Sequence, residues 1–317
     1  VAIANHVAQF GINAPPDDIV VTPGSKPILL YAARALLENG YGALIPDPAY
    51  PIYDSAVRFA GGRPVTYRLD SSNGFAPDVD AIAAAITSRT RVLVLNTPQN
   101  PTGGVIDAPT LAALAELAES NDLVVIVDEI YRPFDYGAQP VPSILTLPGM
   151  RERCILVDGF SKAYAMTGWR LGYGLLPTPL APRFALLALN DHACVPAFVQ
   201  RAGIAALTGT QEPLRAMIAE FAARRALVAD RLSAIPGVRM RAPAGAFYAF
   251  PDVSAITKAA GVTAAQLADT LLANYGVALL PGTAFGAAGE GHLRLSFAAS
   301  RADLDRALTI IARCFGT

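Results

Sequence analysis

Only three of the 25 lysine and arginine residues in this 317-residue chain are lysines: Lys26, Lys162 and Lys258. Any chemistry that needs a primary amine therefore has three candidates. An amine is a nucleophile only when neutral, and burial beside other cations lowers a lysine pKa to that end. Lys162 follows Gly159-Phe-Ser and leads into Ala-Tyr-Ala-Met-Thr-Gly-Trp-Arg170. Asp128 ends the apolar run Leu123-Val-Val-Ile-Val127. An unpartnered carboxylate there is costly, so Asp128 needs a cation, becomes neutral, or simply caps the following loop. Arg294 sits in the otherwise apolar Leu293-Arg-Leu-Ser-Phe297, where a guanidinium is expensive unless it meets an anion.

Other chemistries find no support. No Gly-Lys dipeptide occurs, so there is no Walker A loop. Gly168-Trp-Arg-Leu-Gly172-Tyr-Gly174 has the wrong glycine spacing for a dinucleotide fingerprint. His6, His192 and His292 lie far apart, without metalloprotease spacing, and no Gly-x-Ser-x-Gly elbow exists.

Several motifs occur together and in order. They are Asn96-Thr-Pro-Gln-Asn100-Pro-Thr-Gly103, Val127-Asp-Glu-Ile-Tyr131, the Gly159–Gly172 stretch, Pro281-Gly-Thr-Ala-Phe-Gly286 and Leu293–Phe297. With them the chain, from about residue 18 to its C-terminus, resembles the class I/II pyridoxal-phosphate aminotransferases of fold type I, the group that includes aspartate aminotransferases. The resemblance implies pyridoxal 5′-phosphate as cofactor, held by Lys162 as an internal aldimine. It implies transfer of an amino group from an L-amino acid to a 2-oxo acid through a pyridoxamine intermediate, with the freed Lys162 amine shuttling the proton. A β-lyase or racemase on the same fold, or a non-catalytic amino-acid-sensing regulator domain, are the alternatives.

The same resemblance assigns the remaining roles. The cation that Asp128 needs is the protonated pyridine nitrogen, and that pair keeps the ring an electron sink. Tyr131 and Asn100 match the two donors to the cofactor's 3′-oxygen, though Asn100 is also an ordinary turn former. Gly24-Ser25-Lys26, ahead of a helix, fits the phosphate, because free N–H groups there favour an anion. Ser161 and Arg170 match the other phosphate ligands, while Gly159 stands where relatives often carry a hydroxyl. Tyr50 matches the aromatic over the pyridine face, or is a core tyrosine in a Pro-rich turn. Arg294 matches the clamp on the substrate α-carboxylate, and Phe247, in Gly245-Ala-Phe-Tyr248, is expected at the substrate side chain.

These residues need a scaffold. Short β-branched runs alternate with longer apolar-periodic ones, which predicts βαβ units, a mainly parallel sheet and an α/β fold. Strands are expected at 18–22, 63–69, 91–95, 123–127 and 154–157. Helices are expected at 26–37 (stopped by Asn39-Gly40), 78–86 and 109–119. The unbroken Leu123–Val127 run predicts a central strand buried on both faces. After about residue 210 comes a long helix, 212–235. Strands at 238–241, 246–250, 277–280 and 292–297 follow, with helices at 264–274 and 301–314. The expected organisation is a large cofactor-binding domain over 1–212 and a smaller α+β domain over 213–317.

Composition sets outer limits. Net charge is −1, too balanced for an electrostatic nucleic-acid binder. Hydrophobic residues reach 53% and charged ones only 16%, which excludes disorder. Apolar stretches such as 184–189 fall far short of the ~18 residues of a membrane span. Three widely spaced cysteines, Cys154, Cys194 and Cys314, give no disulfide framework, so a cytoplasmic setting is expected. The resemblance further implies a homodimer with shared active sites, with Asn190–Gln200 near the partner. It also implies several dozen residues before Val1, including a lid segment and a tyrosine lent to the neighbouring subunit.

Overall fold

Side chains alternate between the faces of a strand. Val125 and Val127 therefore enter one hydrophobic cluster while Ile126 enters another on the opposite face. Both clusters flank a seven-stranded sheet in a computed structural model that describes residues 1–38, 40–137 and 140–315. The strands are β1 (Ile19–Thr22), β2 (Gly42–Asp47), β3 (Arg63–Arg68), β4 (Thr90–Asn96), β5 (Val124–Asp128), β6 (Cys154–Gly159) and β7 (Gly172–Leu175). Their spatial order is β1-β7-β6-β5-β4-β2-β3. β3, β2, β4, β5 and β6 run parallel, and β7 runs antiparallel to both β6 and β1. The helices Lys26–Leu36 and Ile52–Phe59 bury Ile28, Tyr31, Tyr53 and Val57 against the face that carries Ile126. β5 is central and buried, as its unbroken apolar run predicts.

The C-terminal region builds a second, three-stranded antiparallel sheet. It consists of β8 (Tyr248–Ala249), β9 (Leu280–Pro281) and β10 (Leu293–Ser296), with β10 in the middle. Helices Glu212–Ser233, Ala264–Tyr275 and Arg301–Phe315 cover it. Ile130, Tyr131 and Phe134, from the loop after β5, pack into this C-terminal cluster, so the end of the large sheet and the small sheet meet there. Among the described residues no helix is long and apolar enough to cross a membrane.

Several elements differ from expectation. Residues 238–241 form only an isolated bridge, Arg239 to Asp252, because the opposing segment turns at Asp252 and its carboxylate accepts the Ser254 N–H at 2.8 Å. The strand expected at 246–250 contracts to Tyr248–Ala249, since Ala246 adopts a left-handed φ of 57°. The strand expected at 277–280 begins only at Leu280. β2, β7 and the helices Ile52–Phe59, Ala181–His192, Ala197–Thr208 and Ser254–Ala260 come in addition to the expected elements. β7 escapes sequence reading because Gly172 and Gly174 resemble a turn. A Cβ on Gly172 would lie 2.4 Å from the Ser25 backbone nitrogen, and one on Gly174 2.8 Å from Ile28. Asn39, part of the expected helix stop, lies outside the described residues; that helix ends at Leu36.

Candidate active site

Loops leave β4, β5 and β6 at their carboxyl ends, the side of a parallel sheet where ligands bind. Asn96 ends β4, Asp128 ends β5, and Gly159 at the end of β6 leads directly into the helical turn Phe160–Ala163 that carries Lys162. A cavity of about 270 Å³ opens there. Ten of the expected site residues line it. They are Ser25, Lys26, Tyr50, Asn100, Asp128, Tyr131, Ser161, Lys162, Arg170 and Arg294. Gly24 and Phe247 are not in the lining, but Gly24 abuts the Arg170 guanidinium and Phe247 packs against Tyr131.

Lys162 has an environment that favours a neutral amine. Burial lowers its pKa first, and the charges of Arg170, Arg294 and Lys26 lower it further, opposed only by Asp128. Its Nζ lies 5.9 Å from the Tyr131 ring centre and 5.7 Å from that of Phe247. Phe247 packs edge-on against Tyr131 at 5.2 Å, while its neighbour Tyr248 supplies the cavity wall.

Asp128 is buried, and desolvation pushes its carboxyl up to about 6. The Ile130 N–H donates to its Oδ1 at 3.2 Å and the Tyr53 hydroxyl to its Oδ2 at 2.9 Å, both favouring the charged form. Sequence reading missed Tyr53. It lies three residues after Tyr50, in the first turn of the helix Ile52–Phe59, and packs edge-on against the Tyr50 ring at 6.0 Å; the Tyr-x-x-Tyr spacing is the signal that could have found it. Asn96 was also missed. Its Nδ2 donates to Asp128 O at 2.9 Å and its Oδ1 accepts the Asn100 N–H at 3.0 Å, joining the ends of β4 and β5 to the Asn100 loop.

On the substrate side, Arg294 projects from β10 with its guanidinium between the rings of Tyr248 and Phe285, 4.5 and 4.7 Å from their centres. Its Nη1 donates to Asn100 Oδ1 at 3.1 Å, and its buried Nε has no partner. No carboxylate among the described residues pairs with it. A guanidinium held between two rings, with a donor unfilled, can accommodate an incoming anion. The Asn100 amide, its oxygen committed to Arg294, keeps Nδ2 as a donor for the cavity. Tyr131 and Tyr248 share a hydroxyl hydrogen bond of 2.8 Å, and burial keeps Tyr131 protonated.

The opposite end is a cradle of donors. Ser25 precedes the helix Lys26–Leu36 and its hydroxyl makes no cap bond. Arg170, at a left-handed φ of 53°, spans from Thr167 O (2.9 Å) to Pro23 O (3.3 Å). Gly24 has φ 82°, and a Cβ there would fall 2.1 Å from Arg170 Nη2. Glycine is thus what lets the guanidinium lie against the turn. At Gly159 a Cβ would lie 3.0 Å from the Gly172 Cα, so a side chain there would have to displace backbone.

Comparison with known proteins agrees with this geometry. The family model for aminotransferase class I and II matches residues 2–311. An aspartate aminotransferase of Musicola paradisiaca is 38% identical over 314 residues, covering 98% of this chain and 78% of that protein. Aromatic-amino-acid aminotransferase 2 of Thermococcus litoralis is 36% identical over 301 residues, covering 94% and 76%. The crystal structure of an aromatic aminotransferase from Pyrococcus horikoshii superposes with a TM-score of 0.94 at 37% identity, covering 99% of this chain and 83% of that one. The chain belongs to the class I and II aminotransferases, enzymes that transfer amino groups with pyridoxal phosphate.

Proposed function

We propose that the cavity at the ends of β4, β5 and β6 is the transamination site and that it takes pyridoxal 5′-phosphate. One observation carries the reading. A lysine of lowered pKa and a buried carboxylate share a cavity with an anion cradle at one end and an unpaired guanidinium at the other. The residues fit the cofactor: the glycine turn at Gly24 makes room for Arg170, and among the described residues neither Lys26 nor Arg170 forms an ion pair.

When bound, the cofactor supplies a carbonyl carbon that takes up the amino group and a ring that stores the electron pair released at the substrate's α-carbon. Lys162 holds the cofactor, then as a neutral amine takes the α-carbon proton and delivers it to the cofactor's 4′-carbon. Asp128 would keep the proton on the ring nitrogen, helped by the Tyr53 hydroxyl, which favours its charged form. Tyr131 and Asn100 would donate to the 3′-oxygen. Gly24, Ser25, Lys26, Ser161 and Arg170 would hold the phosphate, and Tyr50 would cover the ring. Arg294, with Asn100, takes the α-carboxylate of an L-amino acid or of a 2-oxo acid, with Phe247 behind the substrate pocket.

The reading includes a large domain over 1–212 and a small one over 213–317, supported by the separate C-terminal cluster. It also includes a cytoplasmic homodimer. Leu186, Leu189 and Phe198, 60%, 62% and 71% exposed, give the helices around residue 190 an apolar surface suited to a second copy.

The test loads the protein with pyridoxal phosphate, reduces it with borohydride and maps the peptides. The cofactor should be fixed on Lys162 alone, and L-aspartate or L-phenylalanine should convert the loaded protein in a half-reaction. Label on Lys26 or Lys258 overturns the assignment.

A further inference from the structure

The carboxylate clamp is held from outside the cavity. Phe285, which covers one face of the Arg294 guanidinium, belongs to the loop between β9 and β10. That loop is tied to the carboxyl edge of the large sheet. At the end of β2, Asp47 Oδ1 accepts the Ala288 N–H at 3.1 Å, and two residues on, the Ala49 N–H donates to Phe285 O at 2.7 Å. Gly286, between the two tethers, has φ 130°, and a Cβ there would fall 2.0 Å from Asp47 Oδ1. The carboxylate is therefore seated against bare backbone.

The same short strap reaches the other neighbour of Arg294. Pro48 O accepts from Gln99 Nε2 at 2.7 Å, and Gln99 precedes Asn100, whose Oδ1 accepts from Arg294 Nη1. Residues 47–49 thus bond to the loop that bears the ring beside Arg294 and to the loop that bears its hydrogen-bond partner. The backbone bonds hold each loop near, but only the Asp47 side chain crosses to the Ala287–Gly289 turn beyond Phe285.

We propose that Asp47 is a positioning residue for substrate recognition: it locks the 285–288 loop so that Phe285 keeps the Arg294 guanidinium aimed at the substrate α-carboxylate. Asp47 touches neither cofactor nor substrate. The inference rests on the reading of Arg294 as the carboxylate receptor. It predicts an effect on binding of carboxylate-bearing substrates and little effect on the proton transfer at Lys162.

The experiment measures KM and kcat of the holoenzyme for L-aspartate, L-phenylalanine and L-phenylalaninamide. Asp47→Ala should raise KM for both amino acids about three- to tenfold, with kcat within about twofold and cofactor absorbance unchanged. The preference for L-phenylalanine over its amide should fall by a similar factor. Asp47→Asn keeps the Oδ1 acceptor and should stay within about twofold of the parent. Ala288→Pro removes the same bond from the donor side and should reproduce the KM effect even if Asp47→Ala folds poorly. In an Arg294→Ala background, Asp47→Ala should change KM no further, because the two act through one contact. A lowered melting temperature with unchanged KM in Asp47→Ala and Ala288→Pro would overturn the proposal. If Arg294→Ala itself leaves KM unmoved, the receptor reading fails; if Arg294→Ala raises KM and the Asp47 variant does not, only the role of Asp47 fails.

Discussion

The Tyr53 hydroxyl donates to Asp128 Oδ2 at 2.9 Å, and both side chains are buried. The bond opposes the desolvation that pushes the Asp128 carboxyl up to about 6. A hydrogen bond to a buried charge is worth about 1.5–3 kcal/mol, which corresponds to one or two pKa units. Tyr53→Phe should therefore raise the Asp128 pKa further. Activity that needs the carboxylate would fail at a higher pH as the solution is acidified. The acid limb of the holoenzyme's pH–rate profile should move up by about one unit. Superimposable profiles between pH 5 and 9 would mean that Tyr53 only fills space.

On its proposed role, Asp128 sets function against stability. Its folded pKa lies above the ordinary carboxylate value, so folding of the cofactor-free protein raises its affinity for a proton. The stability from this group is present at pH 4, declines as pH rises toward and through 6, and stays lost above that. Asp128→Asn should match the parent near pH 4 and exceed it by about 2–3 kcal/mol at pH 8, while transamination collapses. Urea unfolding of the cofactor-free proteins at both pH values gives the comparison. Equal differences at the two pH values would remove the ionisation cost from the account.

Gly24→Ala tests the cradle. The added Cβ meets the Arg170 guanidinium and sits at φ 82°, a conformation that side chains resist. Affinity for pyridoxal phosphate, read by absorbance titration, should fall at least about tenfold, because the change tilts the guanidinium away from the turn. Retained affinity would show that Arg170 has another acceptable seat.

The exposed Leu189 and Phe198 should matter only in the assembly. Leu189→Asp with Phe198→Asp replaces apolar surface by charge without touching the core, so the fold should survive. Sedimentation should shift toward monomer and turnover should drop with it. A parent protein that is monomeric at full turnover would remove the shared-site reading.

The sequence made most of this legible where one residue type has one job. The unbroken Leu123–Val127 run read as a strand buried on both faces, and the aspartate at its end as a group that needs a cation, a proton or a loop to cap. Lys162 stood out because lysines are few. What stayed hidden was set by tertiary contact. β7 went unread because its glycines answer to the Ser25 backbone and Ile28, which no local pattern records. Tyr53 went unread because its helix, Ile52–Phe59, was not expected, and only the docking of that helix brings the hydroxyl to Asp128. Ala246 broke an expected strand through a backbone angle that alanine seldom takes. Asp47 and Gly286 become partners only when the two sheets meet.

The antiparallel insertion of β7 has a consequence for synthesis. Thr22 pairs with Gly172 and Ile19 with Leu175, so the strand leading into the Gly24 turn has its sheet partner late in the chain. A growing polypeptide exposes that turn early, yet the Arg170 side of the cradle and the register that aligns it arrive only with β7. Non-local pairing of this kind must wait for its second half. The nascent chain therefore cannot capture its cofactor piecemeal. Pulse-labelled chains released before residue 172 should leave pyridoxal phosphate free, and those released beyond the C-terminal sheet should retain it.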